Sequence, residues 1–396
     1  MNILFLCDEY PPCKHGGIGS ITQTLAREIV KQNHKVFVLG FYPYYREAAS
    51  EEIDNGVYVK RFFYGNWITL HVSRNRYLGR IFNLKYKFQK YLEEIKLFIH
   101  KNKIDIIEIP DFNEIFRYTG IQFIEFGDLG IPKIIKLHGT YSLVNHLKKP
   151  FKYNKHIYLK EKNHIQCASH VVAVSNFTKQ QVKQIFDYTG EIIVIYNGVS
   201  IDTPFEYLIN NSKKVIYVGR ITKEKGVFSL IKAWENVIKL IPDATLILYG
   251  TAGKKTLKKL KENITDKSSH SISFAGFIDK TDLRAKYTSA ACSVFPSYFE
   301  NFSLAPIEAM QYGCPTIYTK RASGEELINN GIDGILVDPD NIDEISNAII
   351  WMLTNRKEAR TMGKKGFEKV KENFEMSKIV YETIQLYKNI LKTQKT

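Results

Sequence analysis

The sequence predicts an α/β protein made of two doubly wound domains, each built around a parallel β-sheet. Short apolar, β-branched runs alternate along the chain with stretches whose apolar residues recur at helical spacing. Continuous apolar strands between helices are typical of buried parallel sheets with right-handed crossovers. The alternation breaks at Asn197-Gly198-Val199 and the polar stretch Thr203–Lys214 and then restarts, which divides the 396 residues into two sheets.

Twelve candidate strands carry this pattern. Six precede the break, at Ile3–Cys7, Val36–Gly40, Ile104–Ile109, Lys133–Leu137, His170–Val174 and Ile192–Ile195. Six follow it, at Val215–Val218, Thr245–Tyr249, Ser271–Ala275, Cys292–Phe295, Thr316–Tyr318 and Ile335–Val337. Helical spacing between them is clearest at Ile18–Lys31, Phe228–Leu240 and Asp282–Ser289. Because open parallel sheets bind ligands beyond the carboxyl ends of their strands, functional residues are expected in the loops that follow strands.

The bulk composition is that of a globular protein, with 44% hydrophobic and 24% charged residues. The segment Met1–Asp8 lacks the basic start and the long apolar stretch of a signal peptide, and no apolar run approaches the ~20 residues that span a bilayer. The five cysteines are scattered and show no metal-ligand spacing. These observations predict a cytoplasmic protein with reduced core thiols.

The net charge of +15 at pH 7 is concentrated in two basic runs. The run from His71 to Lys103 sets nine Lys and Arg residues against Glu93 and Glu94: Arg74, Arg76, Arg80, Lys85, Lys87, Lys90, Lys96, Lys101 and Lys103. The second run contains Lys148, Lys149, Lys152, Lys155, Lys160 and Lys162. A solvated helix face is the default interpretation, but aromatic residues interleave with the first run, which also suits peripheral contact with an anionic membrane.

A glycine cluster, Gly16-Gly17-Ile18-Gly19, lies between the first strand and the first helix. Glycines there let the backbone approach a phosphate, and the helix start contributes amide donors and a partial positive charge. Many ordinary turns contain such glycines, so the motif alone is weak. The dinucleotide fingerprint G-x-G-x-x-G is absent, which argues against a dehydrogenase.

A second loop, Gly219-Arg220-Ile221-Thr222-Lys223-Glu224-Lys225-Gly226, directly follows the first strand of the second half. Arg220 can bind two phosphate oxygens at once, and Lys225 adds a compact positive charge. A solvated basic loop is the alternative interpretation. The position after a strand end, between glycines, favours binding of an anionic ligand.

Two carboxylates, Glu300 and Glu308, lie eight residues apart in a strand-to-helix segment. If helix covers most of the interval, their separation is ~12 Å at ~1.5 Å per residue. Glycosidase carboxyl pairs lie under ~10 Å apart, so a hydrolytic dyad is disfavoured. The spacing suits an extended ligand bound at both ends, with the helix start near Phe302–Leu304 directing amides at a phosphate between them. The alternative makes Glu300 a helix-capping acid and Glu308 a surface residue.

Two further strand ends carry polar motifs. His138-Gly139 follows the strand Lys133–Leu137, where a histidine can be either structural or catalytic. The D-x-D string Asp338-Pro339-Asp340 resembles a metal motif, but the central proline and the position after a late strand favour a turn.

The ordered set of motifs resembles family 4 of the retaining glycosyltransferases, which have the GT-B architecture of two Rossmann-like domains facing a central cleft. The resemblance comprises Gly16-Gly17, His138-Gly139, Gly219-Arg220 with Lys225-Gly226, and Glu300 to Glu308 running into Gly313-Cys314-Pro315. The late segment 329–337 also resembles this family. Each motif is unspecific, but the set covers nearly the whole chain in the family's order.

The resemblance implies a role for each site residue. Gly16 and Gly17 would bind a donor phosphate, and Arg220, Lys225 and the amides of Ser303 and Leu304 would hold the diphosphate. Glu308 would bind the ribose hydroxyls, Glu300 the hydroxyls of the transferred sugar, and Ile278 would lie near the base. His138 would approach the reacting side of the sugar.

Two departures from the family pattern affect the predicted pocket. Asn301 and Ser303 stand where the family commonly has glycine, so their side chains reshape the pocket. Gly250-Thr251-Ala252-Gly253 replaces the usual Gly-x-Gly-Pro, which leaves recognition of the base open.

The resemblance also implies the domains and partners. We expect an acceptor-binding domain at residues 1–200, a nucleotide-sugar-binding domain at 201–375, and a C-terminal helix at 376–396 that returns to the N-terminal domain. The predicted reaction transfers a sugar from a nucleotide-diphosphate donor to a glycan or lipid-linked acceptor of surface polysaccharide synthesis, with no essential metal or cofactor. Acids among the binding motifs argue against nucleic acid as a partner. A nucleotide-sugar epimerase, or another non-transferring relative, is the alternative.

Overall fold

In a computed structural model of the chain, the described residues are 1–13, 16–42, 48–63, 77–111, 126–148, 154–201 and 212–394. They belong to two compact units: Met1–Asn197 with Met376–Thr396, and Gly198–Glu375. We call these the first and second units. Residues 71–76, Lys149 and Lys152 of the basic runs, and residues 203–211 of the predicted break, lie outside the described residues.

The first unit contains an eight-stranded sheet. Its strands are β1 (Asn2–Leu6), β2 (Lys35–Tyr42), β3 (Glu51–Asp54), β4 (Val57–Phe63), β5 (Ile106–Pro110), β6 (Lys133–Leu137), β7 (His170–Ala173) and β8 (Ile192–Val194). Their spatial order is β3-β4-β2-β1-β5-β6-β7-β8. The intervening helices are α1 (Gly17–Lys31), α2 (Tyr77–Asn102), α3 (Tyr141–Lys148), α4 (Lys155–Gln166) and α5 (Asn176–Phe186).

The second unit contains a six-stranded sheet that is parallel throughout its described pairs. Its strands are β9 (Lys214–Val218), β10 (Thr245–Tyr249), β11 (Ile272–Gly276), β12 (Cys292–Phe295), β13 (Thr316–Thr319) and β14 (Ile335–Val337), in the spatial order β11-β10-β9-β12-β13-β14. Its helices are α6 (Val227–Leu240), α7 (Lys254–Glu262), α8 (Asp266–Ser269), α9 (Lys280–Ser289), α10 (Leu304–Met310), α11 (Gly324–Leu327), α12 (Ile342–Thr354) and α13 (Arg356–Asn373).

The twelve strands predicted from sequence all form, and the parallel-sheet prediction is confirmed with one exception. The exception among the described strand pairs is the antiparallel pair β3–β4. Apolar runs do not predict it, because β3 alternates exposed with half-buried residues and β4 alternates buried with half-buried ones. Asn55 and Gly56 connect these strands with φ of 47° and 86°. Positive φ at both positions is the conformation that Asn-Gly favours in tight hairpins. The dipeptide therefore carried a signal for this hairpin.

Central strands are buried because helices cover the sheets. All five residues of β5 and of β6 are buried, including Lys133 and Lys136. The Lys136 ammonium lies 3.6 Å from the carboxylate of Glu108 on β5, and the Lys133 ammonium donates to Gly127 O at 2.9 Å. Buried charges require such partners, and these two are satisfied inside the fold.

The last helix, α14 (Met376–Thr393), belongs to the first unit. Its buried face includes Ile379, Ile384 and Tyr387. The Tyr387 hydroxyl donates to Glu108 Oε2 at 2.6 Å. The chain therefore returns to the first unit after completing the second.

The five cysteines are free thiols, and all except Cys167 are buried. No helix within the described ranges is long and apolar enough to cross a membrane. The same ranges contain no group of three or more His, Cys, Asp or Glu side chains arranged to hold a metal ion.

Candidate active site

Glycines pack the loops at the carboxyl edge of the second sheet against one another. A Cβ on Gly250, after β10, would lie 1.9 Å from Gly219 O, after β9. A Cβ on Gly226 would lie 1.7 Å from Pro296 O, after β12, and Gly226 has φ of 69°. Larger residues do not fit these positions. The loop 219–226 is therefore fixed against the ends of both neighbouring strands.

Arg220 and Lys225 extend from this loop. The Tyr217 hydroxyl donates to Arg220 O at 2.7 Å, and Ile221 N donates to Thr251 O at 2.9 Å, so the backbone around Arg220 is held at both sides. The Arg220 side chain is exposed, whereas that of Lys225 is 25% exposed. One cation of the loop therefore faces solvent and the other is partly enclosed.

Lys225 and Glu300 form a direct ion pair, although 75 residues separate them in the chain. The Glu300 side chain is 13% exposed, and its Oε1 also accepts from Ser297 Oγ at 3.1 Å. Ser323 Oγ donates to the Glu300 carbonyl at 3.2 Å, which ties the same loop to the end of β13. The structure thus brings together two residues that the sequence singled out independently.

Glu308 lies within α10, which begins at Leu304. The helix covers only the second half of the interval from Glu300, so the premise of the ~12 Å estimate is wrong and helix geometry does not set this separation. Glu308 is half-buried, and its charge adds to burial in raising the pKa of Tyr287 well above its usual range. Ser303 is the N-cap residue and Leu304 the first residue of α10, where backbone amides have no intrahelical acceptor.

Ile278 lies in the loop after β11 and is half-buried. Gly250 N donates to Gly276 O at 2.6 Å, which joins this loop to the glycine contacts described above. The loop therefore lies at the same edge of the sheet as Arg220. The predicted contact of Ile278 with a base stays a prediction.

Asp338 and Asp340 form a turn that is occupied by an arginine. Asp340 N donates to Asp338 Oδ1 at 3.0 Å, and Arg321 donates to both carboxylates at 2.6 Å. Although burial alone would raise it, the pKa of Asp338 is held below its usual range by this amide and by Arg321 and Lys320. The geometry matches the predicted turn.

In the first unit, Gly16 and Gly17 begin α1. Gly16 N donates to the carboxylate of Glu9 at 3.0 Å, and Glu9 is buried. Gly17 is exposed, and a Cβ placed on it would meet no atom of the described part of the chain within 4 Å. Packing among those residues therefore does not require glycine at position 17, whereas the Gly16 amide already has a carboxylate partner.

His138 follows β6 on a loop that Asp111 holds. His138 N donates to Asp111 Oδ1 at 2.8 Å, and Gly139 N donates to Oδ2 at 3.0 Å. Burial raises the pKa of Asp111 to about 7 against these amide hydrogen bonds. Burial, with the charge of Lys136, lowers the pKa of His138 to about 3, so its imidazole is neutral near pH 7.

Sequence reasoning missed three supporting residues: Asp111, Ser297 and Tyr217. Asp111 directly follows the Pro110 that ends β5, so an acid at a strand end was the available signal. Ser297 and Tyr217 carried no comparable signal, because their partners Glu300 and Arg220 are identified only by the folded contacts.

Two family models match adjoining parts of the chain. The model "Glycosyltransferase Family 4" matches residues 15–203, and "Glycosyl transferases group 1" matches residues 201–369. An uncharacterized glycosyltransferase of Methanocaldococcus jannaschii is 26% identical over 418 aligned positions, covering 98% of each chain. The O-antigen chain mannosyltransferase B of Escherichia coli is 26% identical over 243 positions, covering 57% of this chain and 61% of that protein.

Solved structures show the same fold. Sucrose-phosphate synthase from Thermosynechococcus elongatus matches 99% of this chain and 100% of its own, with a TM-score of 0.80 and 21% identity. HepE from Anabaena in complex with UDP-glucose matches 97% and 99%, with a TM-score of 0.68 and 19% identity. These likenesses establish the GT-B fold predicted from the motifs. With the two family models spanning residues 15–369, the chain belongs to the family 4, group 1 glycosyltransferases.

Proposed function

We propose that the protein transfers a sugar, with retention of anomeric configuration, from a nucleotide-diphosphate donor to a glycan or lipid-linked saccharide of surface polysaccharide synthesis. The observation that carries the donor half is the Lys225–Glu300 pair, held by Ser297 at the carboxyl edge of a parallel sheet. Such an edge is where open α/β sheets bind ligands. HepE, which shares the fold, has been crystallised with UDP-glucose.

Within the second unit, each predicted residue has a proposed part in donor binding. Arg220 and Lys225 bind the diphosphate, since one is an exposed guanidinium and the other an ammonium on the same loop. The amides of Ser303 and Leu304 add neutral donors to it. Glu308 binds the ribose hydroxyls and Ile278 lies against the base.

Glu300 is proposed to bind hydroxyls of the transferred sugar. Its pairing with Lys225 directs the carboxylate, and Ser297 fixes one oxygen. A carboxylate beside the leaving diphosphate would otherwise repel it. The ammonium of Lys225 lies where it offsets that repulsion.

Gly16, Gly17 and His138 supply the proposed contribution of the first unit. The described residues leave open the space that a Cβ on Gly17 would occupy. That open space supports the approach of a phosphate to the Gly17 amide. The Gly16 amide is bonded to Glu9, so we assign phosphate contact chiefly to Gly17. His138, neutral at physiological pH, would donate or accept a hydrogen bond at the sugar without carrying charge.

The proposed chemistry is front-face substitution at C1 of the sugar. The bond from C1 to the diphosphate oxygen breaks, and its electron pair goes to the diphosphate. The acceptor hydroxyl oxygen forms the new bond to C1 on the same face, and its proton passes to an oxygen of the donor phosphate. Arg220 and Lys225 stabilise the negative charge that grows on the leaving group. We therefore propose transfer without an essential metal, which predicts equal rates in EDTA and in Mg²⁺.

The basic run on α2 is the proposed contact for an anionic acceptor or the cytoplasmic face of a membrane. Lys90, Lys96 and Lys101 are exposed, and Tyr86 and Leu97 are exposed apolar neighbours, at 56% and 66%. The interleaved aromatics have a simpler explanation: Tyr91 stacks on Phe41 in the core at 5.2 Å. The membrane proposal therefore rests on the lysines with Tyr86 and Leu97.

Three experiments test these proposals. A thermal-shift screen with UDP, GDP, ADP and their glucose esters should identify a stabilising nucleotide, since a ligand that binds only the folded state raises its stability. The product formed from that donor and a lipid-linked saccharide is then analysed by NMR. We expect the transferred sugar to have the same anomeric configuration as in the donor. A product with inverted configuration would exclude the retaining mechanism. In a liposome sedimentation assay, protein that shows no preference for anionic lipids would exclude the membrane contact.

A further inference from the structure

Glu161, on α4, is a buried carboxylate beside the loop that carries His138. It is 2% exposed, and its two oxygens accept from Tyr141 N at 2.6 Å and Ser142 N at 3.0 Å. Tyr141 and Ser142 begin α3, immediately after the loop. A carboxylate at a helix start satisfies amides that lack intrahelical partners and complements the positive end of the helix.

Asp111 holds the other side of the same loop. Its carboxylate, 1% exposed, accepts the amides of His138 and Gly139. Between the two carboxylates, Thr140 is 1% exposed, and its Oγ1 accepts Leu143 N at 3.0 Å. Four amides within residues 138–142 thus donate to two buried acids, which hold this backbone from both ends.

Two buried carboxylates hold this short loop at a high cost in desolvation free energy. Burial raises the pKa of Asp111 to about 7, and burial raises that of Glu161 to about 7 with a smaller contribution from the charge of Asp111. A neutral serine or asparagine could cap the same amides at lower cost in desolvation. Groups with such perturbed titration concentrate at functional sites.

We propose that Glu161 and Asp111 are positioning residues for sugar transfer, which set the backbone of residues 138–142 and so orient His138. The inference rests on the proposed role of His138 in that reaction. Small misplacements of a reacting or orienting group cost large factors in rate, so a loop fixed on both sides is what this role requires.

Isosteric variants test the proposal. Glu161→Gln and Asp111→Asn keep a carbonyl oxygen but remove the charge, and Glu108→Gln removes a buried carboxylate of the same unit that instead contacts Tyr387 and Lys136. Hydrogen exchange at residues 138–142 and release of UDP from UDP-glucose are measured for each. We expect Glu161→Gln to speed exchange at 138–139 as well as 141–142, and to lower kcat at least about tenfold with KM nearly unchanged. Glu108→Gln should lower the Tm but leave hydrogen exchange at residues 138–142 and the release of UDP unchanged.

The pH profile separates positioning from a merely structural role. An ionised carboxylate accepts two amides, whereas a protonated one turns an oxygen into a donor, so kcat should fall below a midpoint near the pKa of about 7. Glu161→Gln should move that midpoint to lower pH, because it removes a negative charge that repels the charge of Asp111. The neighbouring His138 and His164 are neutral in this range, because burial lowers the pKa of each to about 3.

The outcomes are distinct. Unchanged exchange at 138–139, or an unchanged kcat and midpoint in Glu161→Gln, would overturn the positioning role. Wild-type protein that releases no nucleotide from UDP-, GDP- or ADP-glucose with any acceptor would count against the proposed function instead, and the exchange result would still decide whether the two acids fix the loop.

Discussion

Lys225 and Glu300 form an ion pair that joins two loops of the second unit, one after β9 and the other after β12. Ser297 hydrogen-bonds the same carboxylate oxygen at 3.1 Å, and Gly226 brings the two loops into backbone contact. The cation and the anion are both partly enclosed, which strengthens their interaction relative to an exposed pair.

The pair should act as a unit in catalysis. Lys225→Ala removes the positive charge proposed to stabilise the leaving diphosphate, and Glu300→Gln removes the carboxylate proposed to bind the sugar hydroxyls. Each variant is therefore expected to lower kcat/KM for the donor by roughly 10²-fold or more. Lys223→Ala, an exposed lysine of the same loop, is the matched control and should retain wild-type turnover. The double variant should lose less than the product of the two single losses. A near-normal kcat/KM in either single variant would refute the role assigned to the residue that it changes.

Gly17→Ala separates ligand binding from folding. Since a Cβ there meets no atom of the described residues within 4 Å, the Tm should stay at its wild-type value while KM for the donor rises. Gly226→Ala should behave oppositely and destabilise the fold by several kcal/mol, because φ is 69° and Pro296 O lies 1.7 Å from the added atom. Calorimetry and donor kinetics on both variants check this. Unchanged donor KM in Gly17→Ala would remove the residue from the site.

Tyr387 should anchor the C-terminal helix to the first unit. Tyr387→Phe removes the 2.6 Å hydrogen bond to Glu108. Among the residues that the structure describes, the buried carboxylate then keeps Lys136, 3.6 Å away, as its partner. The expected cost is about 1–3 kcal/mol of unfolding free energy. Tyr381→Phe, on the same helix but 64% exposed, should be neutral in denaturant melts. Equal melts for the two variants would contradict the anchoring role.

His164 should make stability depend on pH in a defined direction. Burial, with the charge of Lys133, lowers its pKa from 6.5 to about 3, so between those values the unfolded state binds more protons than the folded state. Unfolding free energy from this group therefore falls as pH drops from 6.5 towards 3, by about 1.4 kcal/mol per unit.

The comparison with His164→Gln isolates this effect. Asp111 and Glu161, whose folded pKa values are raised, act in the opposite direction from the unfolded value near 4 up to about 7, but equally in both proteins. The stability advantage of wild type over the variant should shrink steadily on acidification, as measured by urea melts at several pH values. A constant difference would show that the folded histidine titrates normally.

Much of the fold was readable from local patterns. Runs such as Lys133–Leu137 and Cys292–Phe295 appear with the predicted bounds, because strands buried on both faces are predominantly apolar. Apolar runs do not predict the hairpin at Asn55-Gly56, because its two strands are only partly buried.

The basic run shows a different limit of sequence reading. Charge and aromatics were visible together, but the pattern alone did not separate a membrane face from a core-packed helix. Phe88, Tyr91 and Phe98 pack in or against the core, whereas Lys90 and Lys96 are exposed. The aromatic residues therefore lie on the buried face of α2, and the lysines lie on its exposed face.

Local patterns along the chain predict the two-sheet α/β organisation, the strand-end positions of Arg220, Lys225 and Glu300, and the family, because hydrophobic periodicity and motif order need no tertiary contacts to be recognised. The contacts of the folded chain were needed to show that Lys225 pairs with Glu300, and that Asp111 and Glu161 hold the His138 loop. Those contacts join residues 75, 27 and 20 positions apart. They exist because strand order and helix packing place particular loop ends side by side, and no local pattern encodes that order.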